Sequence, residues 1–361
     1  MIDWQSVKRV LIVRLRSIGD TVLATPSLIA LKRFLPHAEI DILLEDWVAP
    51  LLEGHDAIDN IVTTGKTSTE RLKTARLIRK RKYDVVFNLH GGSTSTYFVA
   101  ASRAKHRVGY AGYRYSFLYN HKLSSASDFW QLEKTHSAEQ QLALLGHVGV
   151  PVEDRPRSRL VVTDAARESI ENKLAAIPQA ETRAVASVPG PFALLHPTAA
   201  FATKTWAAGN FARTAEYLSA KGIQTIAVAA KNEQAVLDEL KRASKVLVLT
   251  FNDLSLPEIT ALAWKAKLFV GNDSGIAHIA AAVNTPTVVI FGSSNRDHWR
   301  PWTDAPNEIV FSENECTHFK GDIRPGTEHP TCIQCVDVEQ VTLAIDRVLQ
   351  KNTTDISARR D

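Results

Sequence analysis

The densest group of chemically useful residues is Asp273, Ser274, Gly275 and His278, inside KLFVGNDSGIAHIAAAVNTPTVVIFGSS at 267–294. A carboxylate, a hydroxyl, a residue without a side chain and an imidazole stand within six positions. They suit a phosphorylated ligand. Ser274 and Gly275 let a pyrophosphate approach the backbone, and His278, one turn on, sits on the face that would meet it. Unpaired N–H groups and the helix dipole favour an anion where a helix begins. Taken singly, Asp273 reads equally well as a helix N-cap and His278 as a packed core histidine. Taken together, the four residues favour the functional reading.

Other candidates lie upstream. Asp20 follows Gly19 at the carboxyl end of the first apolar run, where it could take a proton from an attacking hydroxyl or simply cap a helix. His196-Pro-Thr198 ends another apolar run, with Lys204-Thr-Trp206 in the loop behind it. Thr198 offers a hydroxyl donor and Lys204 a point charge, both suited to a diphosphate. Glu233, just after IQTIAVAA, could accept ribose hydroxyls, or could be an acid favoured by a helix dipole. The loop at 16–20 holds one glycine and lacks the GxGxxG fingerprint, which argues against a dehydrogenase.

The elements that must position these residues follow from the pattern. Leu268–Gly271 reads as a buried strand, 276–283 as an alanine-rich helix, and Thr287–Phe291 as a second strand: a βαβ unit, hence a parallel sheet. Upstream, strands are expected at 9–15, 40–45, 58–63, 83–90 and 106–110, and helices to about Leu35, at 47–52, at 68–82 and after Gly91-Gly92. Thr25-Pro26 suits the cap and first position of the first main helix. Residues 111–134 read as an irregular, acceptor-facing loop, with helices after it at 135–145 and 164–177. PQAETRAVASVPGP has linker composition. The pattern then restarts, with Asn210 expected to cap a helix, another helix at 232–244, Ser255-Leu-Pro-Glu258 at capping-box spacing, and a final amphipathic helix from Val338. The expected division is a first domain at 1–178, a linker at 179–191, a second domain at 192–337, and a terminal helix and tail at 338–361. Each domain should be α/β, Rossmann-like and doubly wound, with ligands at the carboxyl ends of its strands and a cleft between the two.

Composition bounds the rest. At 361 residues, 45% hydrophobic and 23% charged, the chain suits a soluble two-domain enzyme. No apolar run nears the ~20 residues of a membrane helix. Arg14 and Arg16 interrupt the N-terminal apolar segment, so it is not a signal peptide and the cytoplasm is expected. Cys316, Cys332 and Cys335 fit reduced thiols. CxxC at 332–335, with His318 and His329, could form a metal site on paper, but a second CxxC is lacking. Net charge is only +4, yet RLKTARLIRKRK at 71–82 holds seven cations. That run is a solvated helix face or, functionally, a surface for an anionic acceptor or lipid head groups. Nothing around it points to nucleic acid.

Several stretches then carry a resemblance: VLIVRLRSIGDTVLATPSLIALK, YDVVFNLHG, HSAEQQLALL, LHPTAAFATKTWAAGNF and VGNDSGIAHIAAAVNTPTVVIFGSSN. Along nearly the whole chain the sequence resembles the ADP-heptose:lipopolysaccharide heptosyltransferases, glycosyltransferase family 9. The resemblance implies a GT-B fold and inverting transfer without a metal or other cofactor. It makes Asp20 the base and Thr198, Lys204, Glu233, Asp273, Ser274, Gly275 and His278 the donor-site residues. Arg16, Ser17, Gly19 and His90 are the acceptor-side candidates. The implied partners are ADP-heptose, a lipopolysaccharide core sugar and, transiently, the inner face of the inner membrane. The sequence departs from the family in three places: Gly292-Ser-Ser-Asn-Arg296 after the last strand, Ala207 where Pro often follows Trp206, and one cysteine fewer near the C-terminus. The rival readings are a nucleotide-sugar epimerase of the same architecture, a transferase with another sugar or acceptor, and a non-catalytic nucleotide-sugar binder.

Overall fold

A computed structural model describes residues 1–177, 190–313 and 332–358. The chain divides into two compact units, Met1–Val161 and Val162–Asp361. In the first, strands β1 (Arg9–Val13), β2 (Glu39–Glu45), β3 (Asn60–Thr64), β4 (Val85–Asn88), β5 (His106–Tyr110) and β6 (His121–Leu123) alternate with helices. These are α1 (Ile18–Val22), α2 (Thr25–Phe34), α3 (Ser68–Arg81), α4 (Ser93–Ser102), α5 (Ala126–Trp130) and α6 (Ser137–Gly146). The sheet is wholly parallel in the order β3-β2-β1-β4-β5-β6.

The second unit runs α7 (Asp164–Ala175), β7 (Phe192–His196), α8 (Ala208–Ala220), β8 (Gln224–Val228), α9 (Gln234–Ala243), β9 (Val248–Phe251) and α10 (Leu256–Lys265). It continues with β10 (Leu268–Asn272), α11 (Gly275–Ala282), β11 (Thr287–Ile290), α12 (Arg296–Trp299), β12 (Asn307–Val310) and α13 (Val338–Ala358). Its parallel sheet is ordered β12-β11-β10-β7-β8-β9, which is the first topology again, read from the opposite edge. In each sheet the order reverses between a first and a fourth strand: β1 and β4, then β7 and β10. Open parallel sheets bind ligands beside the carboxyl ends of such a pair.

Local sequence explains the elements. Both faces of each sheet are covered, so strands such as RVLIV and FALLH are near-continuous apolar runs. Thr67 with Glu70 and Ser255 with Glu258 close capping boxes at the starts of α3 and α10. In α11, Ile276 to Ala282 is buried throughout, and Asn284, at φ 60°, turns the chain out of the helix before Pro286.

Four expectations need correction. Asn210 does not cap α8: it sits inside the helix, Ala207 occupies the cap position, and the Asn210 side chain accepts from Arg213. Thr25 is the first residue of α2 rather than its cap, its hydroxyl turned back to the Val22 carbonyl. Residues 111–134 are not irregular throughout, because β6 extends the sheet edge and Ser125 caps the one-turn α5. The division between units falls at Val161/Val162, so α7 belongs with the second unit. There Ser169 and Lys173 both reach Glu258 of α10 (2.7 and 2.9 Å), and Glu171 meets Lys265 (2.7 Å). Of the expected linker, 179–189 lies outside the described residues.

Candidate active site

In the first unit the sheet reversal collects Arg14, Asp20 and His90. Val13 pairs with Asn88, so the chain leaves β1 and β4 side by side. Arg14, 8% exposed, follows β1; its guanidinium donates to the Leu89 carbonyl and ion-pairs with Asp20 Oδ1. Ser17 donates its hydroxyl to Asp20 Oδ2 (3.0 Å). The carboxylate is therefore aimed, and stays partly open to solvent. Asn88 Oδ1 accepts from the N–H groups of His90 and Gly91 (3.0 and 3.1 Å) and shapes the turn that presents His90. Burial, then the Arg14 charge, depresses His90 to about 4, so its ring is neutral at pH 7. Arg14 Nε and His90 Nδ1 are buried without a hydrogen-bond partner, an arrangement that costs free energy. Of the acceptor-side candidates, Ser17 and His90 join this group. Arg16, its side chain exposed, joins through its backbone, which hydrogen-bonds His90, while Gly19 is buried inside α1.

In the second unit the reversal between β7 and β10 gathers two linked networks. Lys204 reaches across to Asp273 (2.8 Å), whose Oδ2 also accepts the Ser294 hydroxyl. Asp273 is thus a charge partner and not a helix cap. Ser274 occupies the cap position of α11 without a side-chain cap bond, because its hydroxyl meets His196 Nδ1 (3.0 Å). His196 Nε2 meets Thr198 (3.2 Å), and Thr198 donates to Glu233 (3.0 Å), which also accepts the Ala230 N–H (2.9 Å).

This second network has one consistent direction. Glu233 only accepts, so the Thr198 hydroxyl donates to it and must accept from His196 Nε2–H. Burial depresses His196 to about 4, so the ring is neutral and its Nδ1 accepts. The Ser274 proton is thereby committed to His196, which leaves its oxygen able only to accept. Gly275 opens α11 directly behind. His278, 5% exposed, is packed one turn further along.

Backbone contacts hold these loops. Ser293 N–H donates to the Thr203 carbonyl (3.3 Å), and the two side-chain hydroxyls meet (2.9 Å). A Cβ on Gly292 would lie 2.1 Å from the Thr203 oxygen, so only glycine allows this approach. Trp206 is fully buried, its N–H on Asn272 Oδ1 (3.1 Å) and its indole on the Val336 carbonyl (2.8 Å). Ala207 has φ −61°, the angle a proline would impose, so that departure from the family leaves the backbone path unchanged.

Sequence reasoning did not single out Arg14, His196, Asn88 or Ser294 as site residues. Arg14 was detectable as a charge closing a strand otherwise apolar; the others are ordinary strand-end or loop residues. Of the sulfur residues, Cys332 is buried and Cys335 half-buried, while Cys316, His318 and His329 lie outside the described residues. Among the described residues no group of three His, Cys, Asp or Glu could hold a metal.

Residues 71–324 match glycosyltransferase family 9 (heptosyltransferase). The chain belongs to that family. It is therefore a glycosyltransferase, and the epimerase reading is the less supported one. Lipopolysaccharide heptosyltransferase 3 of Escherichia coli is 28% identical, over 94% of this chain and 98% of its own. Among solved structures, a family 9 glycosyl transferase from Veillonella parvula aligns with TM-score 0.80 at 19% identity, covering 95% of this chain and 97% of that one. E. coli ADP-heptose lps heptosyltransferase II aligns at 0.77 and 20% identity, covering 96% and 99%. The fold of this heptosyltransferase is GT-B, built of two Rossmann-like units.

Proposed function

We propose that the enzyme moves a heptose from ADP-heptose to a sugar of the lipopolysaccharide inner core, with inversion at the anomeric carbon and without a metal. The observation that carries this reading is the donor cluster beside β7 and β10: Lys204 on Asp273, and Ser274 on His196, Thr198 and Glu233, at the opening of α11. The relatives' names support the substrates. Asp20 takes the proton of the acceptor hydroxyl. The freed oxygen attacks the anomeric carbon, the bond to the diphosphate breaks, and ADP leaves. Amides at the start of α11, together with Lys204, stabilise the charge that grows on the departing diphosphate. Thr198 and Glu233 hold the donor, and Arg14, Arg16, Ser17 and His90 serve the acceptor. The reaction takes place in the cytoplasm, at the inner face of the inner membrane.

The test is ADP release from ADP-heptose with a panel of truncated core acceptors. Release that needs both donor and one acceptor structure supports the reading. Release without any acceptor, or with another nucleotide sugar in preference, would sink it.

A further inference from the structure

The basic run at 71–82 is part of a larger surface. α3 buries Thr74, Ala75 and Ile78 against the first sheet, which turns Leu72, Lys73, Arg76, Leu77, Arg79 and Lys80 outward. α4 packs beside it and buries Phe98 and Val99 in the same core, leaving Tyr97 outside. The segment after β5 is tied to α4: Thr96 donates to the Arg114 carbonyl (3.3 Å), and Tyr119 joins that core. It carries Tyr115 and Phe117, whose rings stand 6.4 Å apart, with the Arg114 guanidinium over Tyr115. Phe117 is 76% exposed, and Leu72, Leu77, Tyr97 and Tyr115 are exposed as well.

Charge on this layer is one-sided. Residues 66–118 hold twelve Lys and Arg but only Glu70 and Asp84 as acids, while the whole chain is just +4, so the remainder is net acidic. The two acids offset little of the layer's charge, Glu70 acting on Lys73 alone among the outward cations. Glu70 is spent on the Thr67 cap, and Asp84 on the backbone N–H groups of Lys8 and Arg9. A cationic ridge flanked by leucines and a protruding phenylalanine matches a bilayer interface, where cations meet lipid phosphates and apolar side chains enter below them. A nucleic acid would use the cations and leave Leu72 and Leu77 without gain.

We propose that α3, α4 and the Tyr115–Phe117 segment form one face that docks on anionic bilayers, with Phe117 entering the head-group layer. This deepens the membrane contact in the functional reading above and rests on it for its purpose. The full-length enzyme is floated with vesicles of phosphatidylglycerol and phosphatidylethanolamine, and with phosphatidylcholine alone. Binding is expected only to the former. Arg76→Glu with Lys80→Glu should weaken it roughly ten-fold or more, at about five-fold per cation. Phe117→Ser should abolish the binding that survives high salt, and a Phe117→Trp variant should be quenched by brominated lipid more strongly than the wild type.

Turnover on an acceptor stripped of its acyl chains should be unchanged in the charge-reversal variant, and turnover on acceptor in vesicles should fall. The proposal is overturned if the wild type ignores anionic vesicles. It is overturned equally if duplex RNA binds more tightly than the vesicles, or if charge reversal lowers turnover on the acyl-free acceptor as much as on vesicles. Absence of any heptose transfer by the wild type would overturn the functional reading alone, because flotation reads the surface without turnover.

Discussion

Asp20 is held from two sides, by the Arg14 guanidinium on one oxygen and the Ser17 hydroxyl on the other. As the base proposed above, a carboxylate so fixed would lose little orientational freedom when the acceptor arrives. Asp20→Asn keeps the size and the Ser17 contact but cannot take the proton. Turnover should drop ~10²–10⁴-fold, the usual range for general-base loss, with the KM for ADP-heptose little changed. Near-normal turnover in steady-state assays would remove Asp20 as the base. Some stability should go too, because the buried Arg14 charge is left without its partner. His196 offers a second test. Its folded-state pKa is depressed, to about 4, whereas an unfolded histidine titrates near ~6.5. The unfolded chain therefore takes the proton first, so stability is full above ~6.5 and is lost as pH falls toward 4. The depressed His90 adds to the same limb. Denaturant midpoints measured from pH 7.5 to 4.5 should fall through this window, and His196→Gln should flatten the slope. His196→Leu should raise the donor KM about ten-fold or more, with Gln restoring part of it, since an amide can still link Ser274 to Thr198. Equal effects of Leu and Gln would mean that the hydrogen-bonded chain does not position Ser274.

Among the elements, the strand–loop–helix at 268–282 was the most legible in advance. An apolar run ending in glycine, turn residues, then four alanines admit few other foldings. The order of strands and helices was readable for the same reason, since period and breakers sit in adjacent residues. What escaped was set by partners distant in sequence. α7 looks like the end of the first half until Ser169 and Lys173 meet Glu258, about ninety positions away. The pairing of Lys204 with Asp273 and the His196 bridge to Ser274 are likewise products of the strand order, which no local pattern reveals. The loop after β11 shows how such a contact constrains a single residue. Gly292→Ala would drive a methyl into the Thr203 carbonyl and push the segment carrying Lys204. The backbone cannot yield cheaply on either side, so the donor KM should rise about ten-fold and stability should drop by roughly 1–3 kcal/mol. An unaltered KM and melting temperature would show that the two loops are not held together as described.

At the scale of the whole molecule, one topology is used twice, and each copy gathers the candidate groups proposed above where its strand order reverses. The first copy presents a carboxylate beside a buried guanidinium and a neutral imidazole. The second presents a lysine, hydroxyls and the opening of a helix. The division of chemistry has a thermodynamic consequence. In the functional reading proposed above, every residue assigned to the ADP moiety lies in Val162–Asp361. A ligand bound to the native state alone stabilises what it binds by RT ln(1 + [L]/Kd), about 2.7 kcal/mol at a hundred times Kd. Hydrogen exchange with ADP at that concentration should therefore slow most in peptides covering 196–206, 230–236, 271–278 and 291–295. Peptides covering 9–20 and 85–96 should change far less. The reverse pattern, with protection centred on β1, β4 and Asp20, would put the nucleotide on the first copy. Lys204 and Asp273 would then be left as a structural ion pair.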